Sequence, residues 1–254
     1  MVVLAQESLA RIRTGRPVER IAYLVAAVLF ASGLVHLGVL VVSGTTWEGP
    51  LSYRKAMTFG LSFGLTLATL AWATSFLQLR RRTRNVLLGA FTATSVVEVA
   101  LVTMQVWRGV PSHFNFETGF DSAVSMTLAG GGAVIIATVI GFTIAALRGT
   151  SGLAPSMLLA LRFGLVVLMG ALAVGAVMIA DGVTLSRGGD PQLAYTTAGG
   201  LKPVHAVTMH AILLVPALAW LLRFTDWPES RRTRVIWTVI GSYLVLIAAV
   251  WAVF

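Results

Sequence analysis

Seven uninterrupted apolar runs, at residues 21–42, 56–79, 86–107, 122–147, 163–180, 203–222 and 235–254, constrain this chain more than any other feature. Each holds about 18–26 residues, and ~20 residues of helix cross a bilayer core of ~30 Å. Helix is the form such a run takes, because a lone spanning segment must satisfy its own backbone groups. The first run is too long for the ~7–15-residue core of a cleavable signal peptide. Only 11% of the residues are charged, against about a quarter in a water-soluble domain. The expected fold is all-α: one seven-helix membrane bundle over 21–254. Ahead of it, 1–20 mixes Leu4, Leu9 and Ile12 with Arg11, Arg13, Arg16 and Arg20, which predicts a basic amphipathic segment at the membrane surface.

Orientation follows from the basic residues. Segments 1–20, 80–85, 148–162 and 223–234 hold 14 of the 19 Lys and Arg, while the alternate connections hold 5. The richer set is expected in the cytoplasm, with the N-terminus inside and the C-terminus outside. The net charge of +9 is thus a topology signal, with attraction to anionic lipid as its secondary effect, and nucleic acid is not an expected partner. With no cysteine in the chain, disulfides, thiolate metal sites and cysteine nucleophiles are excluded.

The connections expected outside are richer in hydrogen-bonding groups. Residues 108–121 read RGVPSHFNFETGFD, and 181–202 form a long polar stretch with two glycine pairs, expected to be a lid or a disordered loop. Gly60 and Gly64 make a GxxxG in the second run, and Gly130–Gly132 a narrow waist in the fourth. Close helix packing is the ordinary use of both. Trp47, Trp107, Trp237 and Trp251 read as interface or packing aromatics.

Inside the apolar runs the ionisable residues are His36, Glu98, His205 and His210. By helical rise His36 and His210 lie ~10 Å, and Glu98 ~13 Å, below the outer ends of their helices. A carboxylate at that depth costs several kcal/mol unless it faces the bundle interior and finds a partner. Glu98 is expected to point inward with Thr94 and Gln105, and to meet His36 and one sixth-span histidine beneath 108–121. The alternatives are structural: Glu98 paired with Lys55 or a histidine, His36 neutral and bonded to a carbonyl, Asp121 an N-cap of the fourth span, and Asp181 the close of the fifth. His205 and His210 diverge by ~140° on a helix; depth selects His210 as the inner one.

His36, Glu98 and His210 make a composition suited to catalytic zinc or another divalent metal with an open position. Ser112, His113 and Asp121 at the rim would then position a lipid or small amphiphile or relay protons. Alternatively His36 and His210 are the axial ligands of a non-covalent haem b. A third reading makes Glu98 the protonation switch of a transporter or sensor.

The segments RKAMTFG at 54–60 and RGVPSHFN at 108–115 resemble those of a group of bacterial seven-span membrane proteins with no assigned activity. That resemblance implies a multi-pass protein of a bacterial inner membrane. The order Ser112, His113, Asp121, His205, His210 is similar to that in the alkaline ceramidase group of seven-span metal hydrolases. The late histidines here are five rather than four apart and lie in the sixth span, so the likeness transfers no zinc ligands.

Overall fold

Proline, glycine and capping groups set where the helices of the computed structural model begin and end; it describes residues 15–149 and 152–254. Eight helices and no strand occur among these residues: α1 (Pro17–Ser43), α2 (Arg54–Ser75), α3 (Arg81–Trp107), α4 (Gly119–Leu147), α5 (Pro155–Arg187), α6 (Pro191–Thr197), α7 (Lys202–Leu222) and α8 (Glu229–Val253). All but α6 are long and apolar enough to cross a membrane, so the protein is a multi-pass membrane protein. Most of the basic segment expected over 1–20 lies outside the described residues. Pro17, Pro155 and Pro191 stand in first turns, where the missing N–H would have had no partner. Gly44 ends α1 at a φ of 61°, a left-handed turn that glycine adopts without steric cost.

The contacts divide the chain into two compact units. The first holds α1, α2 and α3, up to Ser75 and then Leu79–Val110; the second holds Phe76–Gln78 and Pro111–Phe254.

In the first unit the GxxxG of α2 is a seam against α1. A Cβ on Gly60 would lie 2.6 Å from the Gly33 nitrogen, and one on Gly64 2.7 Å from the Phe30 nitrogen. Close backbone approach of this kind replaces the hydrophobic drive that lipid removes. At one end of the unit, Glu19 in the first turn of α1 accepts from the Arg16 amide at 3.0 Å and pairs with the Arg16 guanidinium at 2.7 Å. Arg84, in the first turn of α3, comes within 3.6 Å of the same carboxylate. Glu19 and Arg84 are both buried. The apolar runs started too late to include them: α1 begins at Pro17 and α3 at Arg81, so a charged network lies inside the helical unit.

In the second unit α5 and α7 form the closest pair, with a Cβ on Gly164 falling 2.8 Å from the Ile212 Cα. The Tyr243 hydroxyl ties α8 to α7 by donating to the Val207 carbonyl at 2.7 Å. Helix ends are satisfied by charges from other elements: Arg162 donates to the Ala146 and Leu147 carbonyls closing α4, and Glu229 accepts from the Ser156 amide at the start of α5. These placements match the helix dipole. Gly130 and Gly132 differ from Gly60: a Cβ on Gly130 would meet nothing within 4 Å, and one on Gly132 only the Ile179 side chain at 3.9 Å. The expected waist of α4 is therefore not a close-packed seam within its unit.

The stretch 181–202 is largely helical. α5 continues to Arg187, so Asp181 lies inside that helix rather than closing it. α6 follows, its first turn capped by the Asp190 carboxylate, which accepts from the Leu193 amide at 2.9 Å. The polar composition that suggests a loop belongs to helix extending past the apolar core: 33 residues of α5 span ~50 Å.

Candidate functional site

Glu98 sits on the buried face of α3, in line with Phe91, Ser95, Val102 and Gln105. Its residue is 4% exposed, so the inward orientation expected of it holds. Its expected partner is missing: no hydrogen bond or ion pair joins its carboxyl to Lys55, His36 or any other described residue. Further along the stripe Gln105 is fully buried and its Oε1 accepts from the Arg108 guanidinium. The polar face of α3 therefore holds one group that is satisfied locally and one that is not.

His36 is also buried, and both its nitrogens are engaged. Nδ1 lies 2.7 Å from the Ser32 carbonyl one turn back in α1, and Nε2 accepts from the Trp107 indole N–H at 3.0 Å. That pair of bonds requires the neutral ring with its proton on Nδ1. Tyr53 packs edge-on against Trp107, with ring centroids 5.2 Å apart. The residue read as an interface aromatic is thus the group that fixes the His36 tautomer. Composition alone could not reveal this, because 71 residues separate the two.

The other site candidates belong to the second unit. His205 on α7 faces α5: its Nδ1 donates to the Ala171 carbonyl at 2.8 Å, and its ring lies over Gly175. His210 turns elsewhere and donates from Nδ1 to Ala206 of its own helix at 2.6 Å. The divergence set by their spacing of five is seen directly. Among the described residues no three His, Asp or Glu side chains cluster closely enough to hold a metal ion.

The 111–118 connection is built by hydrogen bonds to its own unit. Ser112 is fully buried, its Oγ 3.0 Å from Nδ1 of His113. Phe114 adopts a φ of 62°, and its ring occupies the space a side chain at Gly182 would need. Ser186 donates to the Phe114 carbonyl at 2.7 Å, and Ser125 to that of Asn115 at 3.0 Å. Those contacts hold an aromatic residue in a conformation that costs of order 1 kcal/mol or more. Thr118, not Asp121, caps α4: its Oγ1 accepts from the Asp121 amide at 3.0 Å and donates to the Asp121 carboxylate at 2.6 Å. Asp121 is three residues past the cap, and its carboxylate accepts from the capping hydroxyl itself.

Two further polar residues lie near this connection: Asn115, which the sequence places in the polar rim and in the RGVPSHFN segment, and Tyr195, which carried no sequence signal. The Asn115 Oδ1 accepts from the Glu117 amide at 3.1 Å, which fixes the orientation of the side chain, and its Nδ2 has no partner among the described residues. The Tyr195 hydroxyl on α6 is likewise buried and without one. Burial first, then the charges of Glu117 and Asp121, holds the Tyr195 phenol above its ordinary value, since phenolate would be desolvated beside like charges. The folded chain keeps this proton where the unfolded chain has lost it. Stability from this group is therefore present below the ordinary tyrosine range and is lost as pH rises through the folded value. Glu117→Gln should move the Tyr195 titration toward lower pH, read as an alkaline tyrosine difference spectrum against Tyr195→Phe. An unchanged titration would contradict the electrostatic assignment.

No protein-family model, curated protein or solved structure matches the chain. The likenesses of 54–60 and 108–115, and of the Ser–His–Asp–His–His order, rest on those residues alone.

Proposed function

We propose that this protein is a multi-pass membrane protein in which Glu98 binds and releases a proton within the apolar layer, as the switch of a proton-coupled transporter or sensor. The observation that carries this reading is the burial of Glu98 without any hydrogen-bonding or charged partner among the described residues. A carboxyl in such a place is costly to keep, and structural pairing does not account for it here. Protonation removes the charge that makes the site costly. A bacterial inner membrane is the proposed location.

The metal-enzyme reading uses His36, Glu98 and His210 as ligands, with Ser112, His113 and Asp121 positioning a lipid or amphiphile. The haem reading uses His36 and His210. Both ask His36 to surrender the hydrogen bond from Trp107 or that to Ser32, whereas the proton reading leaves each described contact as it is.

One preparation tests all three. The chain contains no cysteine, so a single Ser95→Cys reports only on the buried face beside Glu98. Its rate of labelling by a water-soluble thiol reagent rises with pH as the thiol ionises, and with Glu98 present it should show a further pH-dependent step that disappears when Glu98→Gln is added. A labelling profile against pH that is the same with and without Glu98→Gln would reject the proposal. Stoichiometric zinc lost in His210→Ala would move the assignment to the metal enzyme, and a Soret band lost in the same variant would move it to haem.

The proposed orientation, N-terminus inside and C-terminus outside, is tested by reporter fusions. Fusions at Arg82 and Arg232 should report the cytoplasm, and those at Asn115 and Asp190 the outside. The opposite pattern would reverse the topology.

A further inference from the structure

Glu98 lies ~13 Å from Trp107 and ~25 Å from Arg81 along the axis of α3, and the buried face of that helix differs on its two sides. Toward Arg81, Leu88 and Phe91 are both buried. The hydroxyls of Thr92 and Ser95 donate to the Leu88 and Phe91 carbonyls of their own helix, at 2.7 Å and 2.8 Å. Beyond them Arg84 is itself buried, 3.6 Å from the buried Glu19. A proton entering from that end would meet bulky apolar groups and hydroxyls already bonded.

Toward Trp107 the face is different. Between Glu98 and Gln105 its other buried residues are valines, Val99 and Val102. Gln105 stands seven residues on, ~10 Å along the axis and within ~20° of the same line. It is fully buried, yet its Oε1 accepts from Arg108, an exposed residue. Polar contact thus runs from the surface to the face that carries Glu98. Along the axis between the two, the Thr103 hydroxyl is buried and has no partner among the described residues, its own helix included. A buried hydroxyl is ordinarily met by protein or by an ordered water, so this half of α3 keeps a group for water to bind. The titratable and charged groups that α1 and α2 bring to the unit are Glu19, Arg20, Tyr23, His36, Arg54 and Lys55. None of them bonds to Glu98.

We propose that Glu98 exchanges its proton with water at the Trp107 end of α3, by a route that Thr103 and Gln105 hold open. This rests on the proton reading of Glu98 and adds the side from which the carboxyl is reached. A proton from hydronium near Arg108 passes through water bonded to the carboxamide and the hydroxyl and neutralises the carboxylate; release reverses each transfer. Thr103 and Gln105 are positioning residues, so they should alter the rate of exchange and not its extent. The test is a rapid pH jump on the full chain in detergent, following the protonated-carboxyl infrared band that Glu98→Gln abolishes. Gln105→Leu should slow the rise of the band roughly tenfold or more, equivalent to ~1.4 kcal/mol of barrier, with its final amplitude unchanged. Thr103→Val leaves no buried hydroxyl unpaired and should slow the rise in the same sense, which keeps the test open if Gln105→Leu fails to fold. Ser95→Ala, on the other side of Glu98, should leave the rate as it is. Natural rates in Thr103→Val and Gln105→Leu would overturn the route, as would slowing confined to Ser95→Ala. A natural chain with no band that depends on Glu98 would instead reject the proton reading itself, and the route with it.

Discussion

Glu98→Met is expected to give a protein at least as stable as the natural chain and without its response to pH. The reasoning concerns the cost of leaving a buried polar group unpaired, about 1–3 kcal/mol. Methionine fills a similar volume with no polar group, so the variant should gain up to that amount, read as a higher unfolding midpoint in detergent. A carboxyl that held helices together through a partner would behave in the opposite way, since removing one member of a buried pair typically costs ~3–5 kcal/mol. Stability and function should thus move in opposite directions at this residue. A marked loss of stability in Glu98→Met would show that Glu98 has a structural partner and would remove the basis of the proton reading.

The second large effect belongs to the α1–α2 seam. Gly60→Ala should destabilise the first unit by about 1–3 kcal/mol. Its new methyl would lie 2.6 Å and 2.7 Å from the Gly33 nitrogen and Cα, and 2.9 Å from the Leu29 carbonyl oxygen, and backbone cannot step aside as a flexible side chain can. Gly130→Ala, also in a helix, adds a methyl with nothing within 4 Å and should change stability by no more than ~0.5 kcal/mol. Unfolding followed by far-UV circular dichroism compares the two. Equal effects would mean that the close approach of α1 and α2 is not what holds them.

These two glycines also mark the boundary of what the amino-acid order reveals. Hydropathy locates the helices because the apolar layer admits only closed backbone hydrogen bonding, and each of the seven runs has its helix. It does not say which face of a helix meets a neighbour, so Gly60 and Gly130 look alike in sequence and differ in space. Run boundaries were legible only where charge and apolarity coincide. α5 extends through Asp181 to Arg187, and Glu19 and Arg84 are helical and buried, because a helix does not stop where the lipid does.

The site was legible in the same uneven way. The cost of a charge in lipid was enough to turn Glu98 inward, since that argument needs no neighbour. The partners of His36 were not, because Trp107 reaches it from another helix and no local pattern encodes that meeting. At the start of α4 the four residues Thr118 to Asp121 contain two capping-competent side chains, and the structure assigns the cap to Thr118. Asn115 was legible as part of the polar rim, whereas Tyr195, a common residue type in a polar stretch, acquires interest only from a hydroxyl left without a partner among the described residues.

The central claim is that Glu98 gains and loses a proton while the helices stay assembled, and infrared difference spectroscopy on membranes cycled between acid and alkaline pH addresses it most directly. The account predicts a protonated-carboxyl band that rises and falls with the cycle, disappears in Glu98→Gln and survives in Glu48→Gln and Glu117→Gln. The same band persisting undiminished in Glu98→Gln would contradict it.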